Sequence, residues 1–160
     1  MIRGEAMSTT FPGTTIEVSK IEKGCSRQLF DGIFATGGIT LSQVSIMTGL
    51  EPYLIQNWVK RGFVSSPIKR LYSEEQFARI IIINMLKEAL QIERICSLIR
   101  VIGGVLEDTT DDLIGDAELY HRYVVTLGRG KQGRELYRRQ LHTEYSHRHG
   151  GYYSTEIVGI

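Results

Sequence analysis

A chain of 160 residues with 42% apolar and 23% charged side chains can build one compact domain, and a net charge of +1 excludes a uniformly basic coat for nucleic acid. No run reaches the roughly 20 apolar residues that cross a bilayer. The opening residues show no basic start followed by an apolar stretch, so a cytoplasmic protein without a membrane anchor is expected. Cys25 and Cys96 fit neither a zinc pattern nor a redox CxxC, which leaves two free thiols in a reducing compartment.

Residues 1–38 are rich in Thr, Ser, Gly and mixed charge and show no sustained period, so they are expected to be a flexible N-terminal arm. Within it Thr15–Val18 suggests a weak strand, and Gln28–Phe34 a short helix ended by Gly37 and Gly38.

From Thr40 the signals sharpen. Thr40-Leu41-Ser42-Gln43 has the form of a capping box, in which the Thr hydroxyl and the Gln side chain satisfy first-turn amides reciprocally. The helix it opens is stopped by Gly49. Pro52 suits the first turn of the next helix, where no amide partner is needed, and Gly62 ends it. Two short helices around a Gly-containing turn make a helix-turn-helix. Phe63-Val64 and Leu71-Tyr72 flank Ser65–Arg70, which reads as a small β-hairpin, a wing. Ser73-Glu74-Glu75-Gln76 is a second capping box and opens a long apolar helix to about Leu90. A further helix from Gln91 carries Ile92, Ile95, Leu98, Ile99 and Ile102 at helical spacing and is expected to close at Gly103-Gly104.

Residues 105–127 form an acidic segment and an amphipathic helix. Glu107, Asp108, Asp111, Asp112, Asp116 and Glu118 precede or begin a stretch with Leu113, Ala117, Tyr120, Val124 and Leu127 on one face. Acids at a helix start favour its dipole, which accounts for them better than a metal site does. Residues 128–160 are a basic, Gly-rich tail expected to be solvated. Its His142, His147 and His149 lack Cys or Asp partners for a metal. Neither Gly-rich stretch ends in GK[ST], and no Ser or Cys has a base in view. No enzyme, cofactor or metal is expected.

The functional signal lies between Pro52 and Tyr72, which hold four basic residues and no acidic one. Tyr53, Gln56, Asn57, Lys60 and Arg61 fall on the second helix of the pair, and Lys69 and Arg70 on the wing. Amide side chains read adenine edges and cations neutralise phosphate, so this mixture suits duplex DNA. Trp58, in phase with Leu54 and Ile55, is assigned to the core.

Leu41–Val44, Thr48–Leu50, Leu54–Val64 and Arg70–Glu75 together resemble a MerR-type winged helix domain. Ile55-Gln56-Asn57-Trp58-Val59-Lys60-Arg61-Gly62 and Pro67–Ser73 are similar, more closely, to an uncharacterised bacterial family of MerR-like proteins. The resemblance covers about residues 40–103. It implies a mainly α fold, a winged helix-turn-helix at 39–104 with a small β-hairpin wing and an additional C-terminal helix. It also implies a transcription regulator with helix 52–61 in the major groove and the wing, 65–70, on the backbone. An Arg common early in MerR recognition helices is Gln56 here, so that base contact does not carry over. Gly103-Gly104 replaces the long coiled coil, and the helix from about Leu113 to Leu127 is the expected substitute for building a homodimer. The rival expectation is a protein–protein interaction module that uses the same scaffold without DNA.

Overall fold

The computed structural model describes residues 9–107 and 114–128. The chain divides into two compact units, Met1–Val125 and Thr126–Ile160, and the packing below is that of the first. It is mainly helical, with one small antiparallel sheet: β1 (Thr9–Thr10), β2 (Glu17–Val18), α1 (Cys25–Ile33), α2 (Leu41–Thr48), α3 (Pro52–Lys60), α4 (Glu74–Leu86) and α5 (Ile92–Glu107), then α6 over residues 116–128. No helix among the described residues is long and apolar enough to cross a membrane.

Residues 9–38, expected as a flexible arm, contribute core instead. β1 pairs with β2 through Thr9 opposite Val18 and Thr10 opposite Glu17. The loop between them is pinned to the helices: Thr15 N–H donates to Met47 O at 2.8 Å, and Asn84 Nδ2 donates to Gly13 O at 3.0 Å and to Thr48 O at 3.1 Å. Phe11, Ile21 and Phe30 are buried. Phe30 is the hub, stacked on Tyr120 at 5.5 Å between ring centroids, tilted on Phe77 at 5.5 Å and edge-on to His121 at 4.7 Å. Such ring pairs add to simple burial. Outside α1 the arm shows no sustained period because a few anchors with distant partners hold it.

Both capping boxes form. Gln43 N–H donates to Thr40 Oγ1 at 3.3 Å and Thr40 N–H to Gln43 Oε1 at 2.9 Å. Gln76 N–H donates to Ser73 Oγ at 3.2 Å and Ser73 N–H to Gln76 Oε1 at 2.8 Å. The core is built on α4, where Phe77, Ala78, Ile80, Ile81 and Ile83 are fully buried, against Val44, Ile55, Trp58, Ile95 and Ile99.

Two glycine readings divide. Gly62 holds φ 82° just beyond α3, in the left-handed region that ends helices. Gly103 and Gly104, expected to stop α5, lie inside it. An interior glycine costs about 1 kcal/mol relative to alanine, which burial of Ile95 and Ile99 outweighs.

α6 carries the predicted face, with Ala117, Tyr120 and Val124 buried. That face is occupied by the chain itself: Tyr120 stacks on Phe30 and its hydroxyl donates to Pro12 O at 2.8 Å. Arg79 Nε donates to Asp116 Oδ2 at 2.6 Å, and Arg27 Nη2 to Glu118 Oε2 at 2.7 Å. The helix expected to build a dimer therefore spends its apolar face within one chain. Leu113 lies outside the described residues, as do Asp108, Asp111, Asp112 and the tail from residue 129 with its histidines.

Candidate functional site

Three residues, Gly49, Leu50 and Glu51, join α2 to α3. Leu50 is buried, and its N–H donates to Thr48 Oγ1 at 3.3 Å while its carbonyl accepts Ser45 Oγ at 2.6 Å. This turn fixes where α3 leaves α2. Pro52 starts α3 without needing an amide partner. Ile55 and Trp58 face inward, 0% and 5% exposed.

The opposite face is open. Tyr53, Gln56, Asn57 and Lys60 are all exposed, and their spacing of three, four and seven puts them on one stripe of the helix. Arg61 caps α3 and is exposed too, but it is engaged. Its Nη2 lies 3.1 Å from Glu93 Oε1 at the start of α5, and its guanidinium sits 4.7 Å from the Phe63 ring centroid. The run from Pro52 to Tyr72 is free of acids in sequence but not in space.

The expected wing takes a different form. Phe63 and Val64 do not pair with Leu71 and Tyr72; their N–H groups donate to Trp58 O at 2.9 and 3.4 Å, closing the end of α3. Tyr72 pairs instead with Ile39, through bonds of 2.7 and 3.0 Å. The hairpin is a two-residue turn in which Ile68 bridges Leu71 around Lys69 and Arg70. Lys69 has φ 51° and Arg70 φ 63°. Positive φ at both central positions is the type I′ geometry that matches strand twist and favours Asn-Gly. Two non-glycine residues held there carry backbone strain of about 1 kcal/mol or more each. Both side chains are exposed, as is Ile68 at 77%.

A residue that sequence reasoning treated only as a cap steadies this loop. Gln76 Nε2 donates to Ser66 O at 2.8 Å and to Ser65 O and Oγ, both at 3.1 Å. One glutamine thus caps α4 and fixes the segment that follows α3. The capping-box motif announced the first role; nothing local announced the second. A cleft of about 450 Å³ beside this loop is lined by Val59, Phe63, Ser65, Ser66, Arg79 and Asp116. Burial opposes the Arg79 charge, but the hydrogen bond and charge of Asp116 outweigh it and hold the guanidinium firmly protonated.

Away from this surface, His121 Nδ1 lies 2.8 Å from Ser26 Oγ, and His121 Nε2 is 3.9 Å from Glu74 Oε1. The order resembles a nucleophile, a base and an acid, but Ser26 and His121 are 2% and 3% exposed. The hydroxyl is closed off from solvent, and the Ser26–His121 contact lies within the core. Burial, then the Arg27 charge, holds His121 below its ordinary pKa of 6.5, and burial, then Glu75 and Asp31, raises Glu74. Burial also pushes Glu118 up, but hydrogen bonds from Arg27 and Arg122 outweigh it and keep the carboxylate charged. Cys25 and Cys96 are free thiols. Among the described residues no cluster of His, Cys, Asp or Glu is placed to hold a metal ion.

A family model described as a domain of unknown function (DUF1836) matches residues 38–123, the stretch from the residue before Ile39 well into α6. An uncharacterized protein of Bacillus subtilis (strain 168), YkrK, is 30% identical over 93 residues, which cover 56% of this chain and 40% of that protein. The chain thus matches about two-fifths of the length of that curated relative. No solved structure matches.

Proposed function

We propose that this chain, which belongs to the family described as a domain of unknown function (DUF1836), binds duplex DNA through a MerR-like winged helix-turn-helix. In this reading α2 and α3 are the helix-turn-helix, α3 enters the major groove, and the turn at Lys69-Arg70 is the wing, on the sugar-phosphate backbone. The observation that carries it is the turn itself. Two adjacent cations occupy both positive-φ positions where asparagine and glycine would be relaxed. Strain kept in a solvent-exposed turn points to a use for its side chains outside the fold.

The exposed stripe of α3 supports the same reading. Gln56 and Asn57 offer amides for base edges, Lys60 offers a cation for phosphate, and Tyr53, 70% exposed, offers an aromatic edge. One such head makes few contacts, so useful affinity calls for a second copy on a half-site one helical turn away, about 34–36 Å. A homodimer, cytoplasmic location and a role in transcription follow from this reading as proposals.

A second reading, a protein-docking module, draws on Ile46, Tyr53 and Ile68, which are 74%, 70% and 77% exposed. Selection of bound sequences from random duplex separates the two. DNA reading predicts an enriched half-site whose preference relaxes in Asn57→Ala; a docking module enriches nothing.

A further inference from the structure

Four cations lie between Pro52 and Tyr72, and one of them stands apart. Lys60, Lys69 and Arg70 have no acidic partner among the described residues, whereas Arg61 Nη2 meets Glu93 Oε1 at 3.1 Å. The Phe63 ring, 4.7 Å from the guanidinium centre, flanks the same side chain. Glu93 sits in the first turn of α5, where the helix dipole favours its charge. Both partners are about half exposed, 50% and 59%.

We propose that Glu93 is a positioning residue that withholds Arg61 from DNA, so the bound complex uses the charge of Lys60, Lys69 and Arg70 but not that of Arg61. The inference rests on the DNA-binding reading. The ion pair with Glu93 and the contact with the Phe63 ring together hold the guanidinium against the first turn of α5. In place, the Glu93 carboxylate offsets the charge of Arg61 near the end of α3. Neutralising Glu93 frees Arg61 to displace one more counterion. α5 thereby sets the strength of the DNA face without touching DNA, and a partner or modification that masked Glu93 would tighten binding.

The experiment measures affinity for random duplex against salt for the full chain and for Glu93→Gln, Arg61→Ala, their combination and Lys60→Ala. One phosphate contact contributes a slope of about 0.9 in log affinity against log salt. Arg61→Ala alone is expected to leave the slope unchanged. Glu93→Gln is expected to raise it by about 0.9, so that each fourfold drop in salt tightens binding about 3.5-fold more than in the parent. Arg61→Ala in the Glu93→Gln background is expected to remove that gain. Lys60→Ala is expected to lower the slope by about 0.9 throughout. A slope lowered equally by Arg61→Ala and Lys60→Ala, or left alone by Glu93→Gln, overturns the inference and leaves DNA binding standing. A parent chain whose affinity ignores salt and whose Lys60→Ala variant matches it overturns both. All the substituted side chains are exposed, and unchanged thermal unfolding verifies that the variants fold.

Discussion

Ile68 and Leu71 exchange two backbone hydrogen bonds, 3.1 Å and 2.9 Å, across Lys69 and Arg70, each of which is held at positive φ. The bonds close the smallest common hairpin, and the residues within it are not those its geometry prefers. Replacing them with Lys69→Asn and Arg70→Gly is therefore predicted to stabilise the fold by about 1 kcal/mol while weakening DNA binding and lowering its salt slope. Urea unfolding and duplex titration on the same preparation check both halves. A variant that is stabilised and binds undiminished would show that the strain serves something other than DNA.

His121 gives a dependence on pH. Its folded pKa lies below the ordinary 6.5, through burial first and then the Arg27 charge, with Glu118 and Asp31 pulling the other way. The unfolded chain therefore binds the proton more readily. The contribution of His121 is fully present above pH 6.5 and is lost as pH falls from there toward its folded pKa. The melting temperature is predicted to fall as pH drops below 6.5, and His121→Gln to flatten that part of the curve. An equal slope in the variant would assign the effect to other groups.

Gly13 tests how firmly the N-terminal hairpin belongs to the domain. It holds φ 72°, and a Cβ there would come 2.6 Å from Ile81 O and 2.8 Å from Met85 Cγ. The clash includes backbone, which cannot rotate away, and the left-handed conformation adds its own strain. Gly13→Ala is predicted to cost about 2 kcal/mol or more, read as a lower urea midpoint at constant slope. A change below about 0.5 kcal/mol, the range of neutral surface substitutions, would mean that residues 9–18 detach readily from α4.

The helix ends were plain in the sequence because their signals are local. Thr40 with Gln43, Ser73 with Gln76, and Gly62 need only a few neighbouring residues to act. The two faces of α3 were legible for the same reason: Ile55 and Trp58 share a helical phase that Gln56, Asn57 and Lys60 avoid. What escaped depends on partners far along the chain. Phe30 acquires its role from Tyr120 and His121, about ninety residues away, so the arm around it read as flexible. The apolar face of α6 was visible, but that Phe30 covers it was not. Phe63-Val64 and Leu71-Tyr72 suggested a hairpin around Ser65–Arg70, whereas the chain reverses at Lys69-Arg70, against local preference. Arg61 looked unopposed because Glu93 lies thirty-two residues downstream.

The most direct test of the central claim is the affinity of the full chain for duplex DNA as a function of salt. Lys60, Lys69 and Arg70 are the exposed cations without an acidic partner among the described residues of this surface. Three phosphate contacts predict a log–log slope of magnitude at least about 2.7 per protomer. A flat dependence, or no measurable affinity at low salt, would contradict the assignment of this surface to DNA.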